Sequence, residues 1–161
     1  MKRLIMAVAS MATLTSIAYA GGNHGGDHGE AEMMAIGKPG DAAAAGRTVA
    51  ISMKENDDGE MVFEPASLKI EEGETIRLTF VNEGELEHEF VMDVHESILE
   101  HKALMEKFPE MEHADPNAVR LGAGAKGEIV WTFAKAGEFE FACLIPGHYE
   151  SGMKGDINVT N

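Results

Sequence analysis

From residue 47 onward the chain alternates between apolar and polar residues, in short runs separated by turn-forming residues. Val49, Ile51 and Met53 share one side of the first run, with Thr48, Ala50 and Ser52 on the other. The same alternation recurs in Met61 and Phe63, in Leu68 and Ile70, and in Ile76, Leu78 and Phe80. It returns in Ile129, Trp131 and Phe133, and finally in Ile157 and Val159. A period of two sends successive side chains to opposite faces of a strand, so each run has one face to bury. Asn56-Asp57-Asp58-Gly59, residues 71–74, residues 82–85, residues 122–127 and Ala136-Gly137 supply the turns. Short strands with a turn about every 8–12 residues predict an all-β sandwich or barrel.

One interval departs from this pattern. Residues 96–108 lack Gly and Pro and are rich in helix formers, which predicts a short helix closed by Pro109. Its apolar stripe would run through Ile98, His101, Leu104, Met105 and Phe108. The chain then reads as loop to about residue 117 before strand character resumes at residues 119–121.

The first twenty residues are of another kind. Lys2 and Arg3 precede an apolar stretch, and Ala18-Tyr19-Ala20 forms an A-x-A cleavage site, the pattern of a secretory signal peptide. The apolar stretch is too short and too interrupted by Ser and Thr for a membrane span. Residues 21–46 are rich in Gly, Ala, His and acidic groups and are expected to be a flexible tail, leaving residues 47–161 as one domain. His24, His28, Met33 and Met34 in that tail are either solvated linker residues or catchers of a soft metal.

Charge narrows the choice of partners. The leader holds two of the 13 basic residues and none of the 28 acidic ones, so its removal takes the net charge from −15 to −17. Such acidity argues against nucleic acid or an anionic membrane and permits a basic protein partner. The single cysteine, Cys143, cannot form an internal disulfide; in an exported protein it is free, paired between chains or metal-bound.

The surroundings of Cys143 favour metal. In Cys143-Leu-Ile-Pro-Gly-His148-Tyr-Glu-Ser-Gly-Met153 a thiol, an imidazole and a thioether lie on one loop, with Pro146-Gly147 to turn it. These are three parts of a soft copper site that lacks only a second imidazole. His88 is in phase with Phe90, Met92 and Val94 on an inward stripe, where a histidine is either a hydrogen-bonded core residue or a ligand. Cys143 ends the stripe Phe139–Phe141, and Met153 begins the stripe that continues through Gly155, Ile157 and Val159. Three strand ends would thus meet at one pole of a sandwich, with His148 supplied by the loop between two of them.

At this point the chain resembles the blue (type 1) copper proteins, the cupredoxin family that includes plastocyanin, azurin and auracyanin. The resemblance covers residues 47–161. It is carried by Phe63-Glu-Pro65-Ala-Ser-Leu68-Lys-Ile70, by Gly73-Glu-Thr75, by Asn82 ahead of His88, and by Cys143-x4-His148-x4-Met153. It implies a Greek-key β-sandwich with one short helical insertion. It also implies one copper ion held by His88, Cys143 and His148 in a plane, with Met153 as a weak axial ligand.

Two features depart from the family pattern. Where azurin- and plastocyanin-like chains carry Asn after the first histidine and Ser or Thr after the cysteine, this chain has Glu89 and Leu144. The hydrogen-bond brace between those positions must therefore be rebuilt. The helical insertion, with His95, His101, Met105, Met111 and His113, resembles the Met- and His-rich segments of periplasmic cupredoxins associated with copper tolerance. His101 and Met105, one turn apart, either pack the helix against the sandwich or share a second, weaker copper. The implied role is electron transfer, copper tolerance or both, in the periplasm, as a monomer working with a redox or copper-transfer partner. The alternative is copper handling through the Met/His segments with no carrier role. Catalysis is not expected, because the His-x-His and His-Cys-His pairs that supply a second copper type do not occur.

Overall fold

The computed structural model describes residues 33–109 and 115–161. The leader, His24, His28, Met111 and His113 lie outside them. In chain order the elements are β1 (Lys38–Pro39), β2 (Arg47–Glu55), β3 (Met61–Glu64), β4 (Ser67–Glu71), β5 (Thr75–Asn82) and β6 (His88–Asp93). Helix α1 (His95–Lys107) follows, then β7 (Ala118–Leu121), β8 (Lys126–Thr132), β9 (Gly137–Ala142) and β10 (Lys154–Thr160). The strands form two five-stranded sheets, ordered β1-β8-β5-β2-β3 and β4-β10-β9-β6-β7. The pairs β2–β5 and β4–β10 are parallel, because the chain crosses between sheets instead of turning straight back. This is the expected Greek-key sandwich with one helix.

The alternating stripes meet between the sheets. Ile51, Met53, Ile76, Leu78, Ile129 and Trp131 from the first sheet face Leu68, Phe90, Met92, Phe141, Ile157 and Val159 from the second, all buried. Toward one pole the core becomes aromatic. Phe90 stacks on Phe141 with centroids 5.2 Å apart, and Phe63 meets both edge-on at 5.8 and 5.2 Å. Aromatic pairs of this kind add about 0.5–1.5 kcal/mol beyond their area burial, so that end of the core is stiff.

The second sheet is also covered on its outer side. Val91, Ala142 and Leu144 face outward from β6 and the end of β9, and α1 lays Ile98 and Met105 over them. This explains why every residue of β6 from His88 to Met92 is buried and the strand shows no polar face. The helix bounds are one residue from those expected, but its stripe is narrower. Leu104 and Phe108 are 46% and 58% exposed. The helix meets the sheet along a single line, and Ile98 and Met105, two turns apart, are the residues on it. Lys102 ties the outer flank through Glu106 at 2.6 Å and Glu150 at 2.5 Å.

Within residues 33–46, expected to be part of a flexible tail, the stretch around Ile36–Gly37 is instead packed against the sandwich. Met34 and Gly37 exchange backbone hydrogen bonds of 2.7 and 3.0 Å. Ile36 is fully buried, with Trp131 Nε1 donating to its carbonyl at 3.4 Å. Strand β1 then pairs with β8, and Asp41 caps a 3-10 turn at Ala42–Ala44. One large apolar residue seated at the β8 edge suffices to anchor the segment, and a single residue has no period for a sequence to reveal.

Candidate metal centre

Strand register brings the candidate ligands together. His88 opens β6, Cys143 directly follows β9, and Met153 directly precedes β10. Because β9 is antiparallel to both β6 and β10, these three chain positions fall at the same end of the sheet. The connecting loop is held by its own backbone. Cys143 N–H donates to Met153 O at 3.0 Å, Met153 N–H to His148 O at 3.1 Å, and His148 N–H to Ile145 O at 3.0 Å. Gly147 and Gly152 turn the chain at φ values of 92° and 95°, a region that penalises side chains with a Cβ.

His88, Cys143 and Met153 are fully buried and His148 is 8% exposed. His148 Nδ1 lies 3.3 Å from Cys143 Sγ and 3.3 Å from His88 Nδ1. One ligand atom from each of His88, Cys143 and His148 falls within 4.8 Å of the others. The two imidazoles meet edge to face, with centroids 5.2 Å apart. Met153 packs in the same core cluster, tied to Cys143 by the backbone.

The electrostatics fit a cation. Burial pushes the Cys143 thiol up to about 12, and the N–H of Glu89 only partly offsets it. Burial, and then the neighbouring His88, hold His148 below the usual imidazole range. Two imidazole nitrogens and a thiol are thus directed at one another inside a buried pole. A soft ion would displace the thiol proton and satisfy all three donors.

Surrounding residues hold the ligands in place. Asn82, fully buried, donates to the carbonyls of Leu86 at 2.7 Å and Leu121 at 2.9 Å and accepts from Gly84 N–H, shaping the loop ahead of His88. The Glu89 N–H donates to Cys143 Sγ at 3.3 Å, so the backbone part of a brace survives although its side chain differs from the family's. Leu144 does not face the ligands; it packs beneath α1.

Glu55 escaped the sequence reading. It closes β2 and accepts from His88 Nε2 at 2.8 Å. Burial pulls its carboxyl up, but the N–H groups of Glu85 and Leu86, with His88, outweigh that and leave it below the usual carboxylate range. A carboxylate just before Asn56-Asp57-Asp58-Gly59 reads as part of a solvated turn, and only the parallel register of β2 and β5 brings it over the pole.

The insertion distributes its candidate ligands differently. Met105 is fully buried in the apolar cluster under α1, the packing role of the two expected. His101 lines a cavity of about 290 Å³ with Asp93, Asp115 and Met34. His95 contacts Glu140 through Nδ1. Among the described residues, none of these joins a cluster of three converging His, Cys or carboxylate ligands.

Residues 49–160 match the family of copper binding proteins described as plastocyanin/azurin. The chain is 47% identical to the copper-resistant cuproprotein CopI of Rubrivivax gelatinosus, over 96% of this chain and 94% of that one. It is 34% identical to the CopI protein of Pseudomonas aeruginosa, over 82% and 84%. Among solved structures it resembles the dithionite-reduced auracyanin of Roseiflexus castenholzii. There the TM-score is 0.60 and the identity 26%, over 73% of this chain and 99% of that one.

Proposed function

The chain belongs to the plastocyanin/azurin family of copper-binding proteins, and on that premise we propose that it is an exported, periplasmic type 1 copper protein serving electron transfer and copper tolerance. The observation that carries this reading is the convergence of both imidazole Nδ1 atoms on the only thiol, inside a buried pole. His88, Cys143 and His148 would hold the ion, with Met153 as the weak fourth donor. Such a donor set would suit both Cu(I) and Cu(II), because soft sulfur favours one state and nitrogen the other.

The protein's own part is to keep that geometry fixed. The loop hydrogen bonds and the Phe63–Phe90–Phe141 cluster resist rearrangement, and the apolar walls exclude water and tune the potential. His148, at 8% exposed, is the least buried of the four candidate ligands and offers the edge through which an electron would pass to a partner. With a formal net charge of −15, the chain would attract a basic redox or copper-transfer partner. The copper-resistant relatives support a tolerance role. The burial of Met105 gives no support to copper handling through α1 alone. No helix among the described residues is long and apolar enough to cross a membrane.

Loading the purified protein with Cu(II) tests the reading. An intense thiolate-to-copper band at one copper per chain is expected, and a protein without that band would not be a type 1 site. Met153→Leu should keep the band and raise the potential, since a weak donor to Cu(II) is lost. An unchanged or lower potential would remove Met153 from the ligand set.

A further inference from the structure

We propose that Glu55 is a positioning residue for the metal centre: its carboxylate holds the Nε2–H of His88 and so leaves Nδ1 as the nitrogen available to the metal. The inference rests on the copper reading above and adds to it the device that sets the ligand's tautomer. Neutral imidazole carries its proton on either nitrogen, and the partner of one nitrogen decides what the other can do. His88 Nε2 lies 2.8 Å from Glu55 Oε1, and both carboxyl oxygens already act as acceptors, Oε1 toward Leu86 N–H and Oε2 toward Glu85 N–H. The proton therefore belongs on Nε2, and the Nδ1 lone pair faces His148 and Cys143.

The carboxylate is itself fixed. Its Oε2 accepts from Glu85 N–H at 2.9 Å and its Oε1 from Leu86 N–H at 3.2 Å. The loop 83–87 thus wraps the carboxylate of one sheet and delivers the histidine of the other. Gly84 leaves room for this contact; a Cβ there would lie 2.5 Å from Glu55 Oε2. A carboxylate beside a ligand also adds negative charge next to the ion, which favours Cu(II) over Cu(I) and lowers the potential.

Nitrogen-15 NMR of the histidine rings in the metal-free protein reads the tautomer directly. Wild-type His88 should be protonated on Nε2 alone. In Glu55→Ala, and in Gly84→Ala, which keeps the charge but displaces the carboxylate, His88 should become a mixture. In the copper-loaded protein Glu55→Ala should weaken Cu(II) binding by about 10–100-fold. Glu55→Gln, whose amide oxygen still accepts from Nε2–H, should keep the single tautomer but raise the potential. A wild-type His88 protonated on Nδ1 overturns the proposal even if Glu55→Ala does not fold. So does a Glu55→Ala protein with unchanged tautomer, affinity and potential. Failure of the wild type to form a thiolate–copper band sinks the copper reading instead and leaves the tautomer result standing.

Discussion

The pole that holds Cys143 and the flank covered by α1 contain the same kinds of residue and put them to different uses. At the pole, strand register forces His88, Cys143 and His148 to converge, and their ligand atoms end within 4.8 Å of one another. On the flank, a helix carries His101 and Met105 at a spacing that suits a shared ion, yet Met105 is fully buried among Val91, Ala142 and Leu144 while His101 opens onto a cavity beside Asp93. Helical spacing alone puts two soft residues on one face, whereas at the pole strand register points three donors at one place. Leu144 marks the border, adjacent in sequence to Cys143 and packed under the helix.

The contrast can be broken most forcefully at the pole. Cys143→Ser should abolish the visible copper band completely while leaving the far-ultraviolet circular dichroism of a β-sandwich; a surviving band would mean that the thiol is not a ligand. On the flank, Met105→Ala should cost roughly 2–5 kcal/mol in urea unfolding, as for other fully buried apolar truncations, with the band and the one-to-one copper ratio retained. A fall in the ratio would turn Met105 into a ligand.

A smaller effect sharpens the picture of the pole as a site where burial shields the thiol. With the Cys143 thiol raised from 9.0 to about 12 by burial, its contribution to the stability of the metal-free fold is fully present below pH 9. It is lost as pH rises toward 12, because the unfolded chain ionises first. The expected slope is about 1.4 kcal/mol per pH unit in that window, read as the difference between wild type and Cys143→Ser. Equal alkaline sensitivity in the two proteins would show that the thiol is not shielded. The smallest change is expected for His101→Ala, which should leave the copper ratio at one in titration; a ratio that begins above one and falls to one would give the flank a metal after all.

Much of this was legible in the sequence, and the reasons differ from place to place. The stripes ending in His88, Cys143 and Met153 were readable because a period of two reports which face is buried. The phase of those stripes also placed three strand ends at one pole. Ile36 was not readable, since a two-residue strand and one anchoring side chain carry no period. Leu104 and Phe108 have the spacing of a buried stripe but are exposed, because helical spacing reports a face and not the width of contact. Glu55 is legible only after β2 is known to run parallel to β5, a long-range fact that no local pattern contains.

The double coverage of β6 has a consequence for the unfolded chain. Residues 90–92 and 141–145 are continuous apolar runs on adjacent strands, and apolar strand segments left open favour edge-to-edge aggregation. Helix α1 begins within two residues of the end of β6, so the cover for that strand is local in sequence and closes at little cost in loop entropy. Helix α1, which holds none of the four candidate ligands, would in this way act as a built-in guard, shielding the strand that carries His88 until its partner strand arrives.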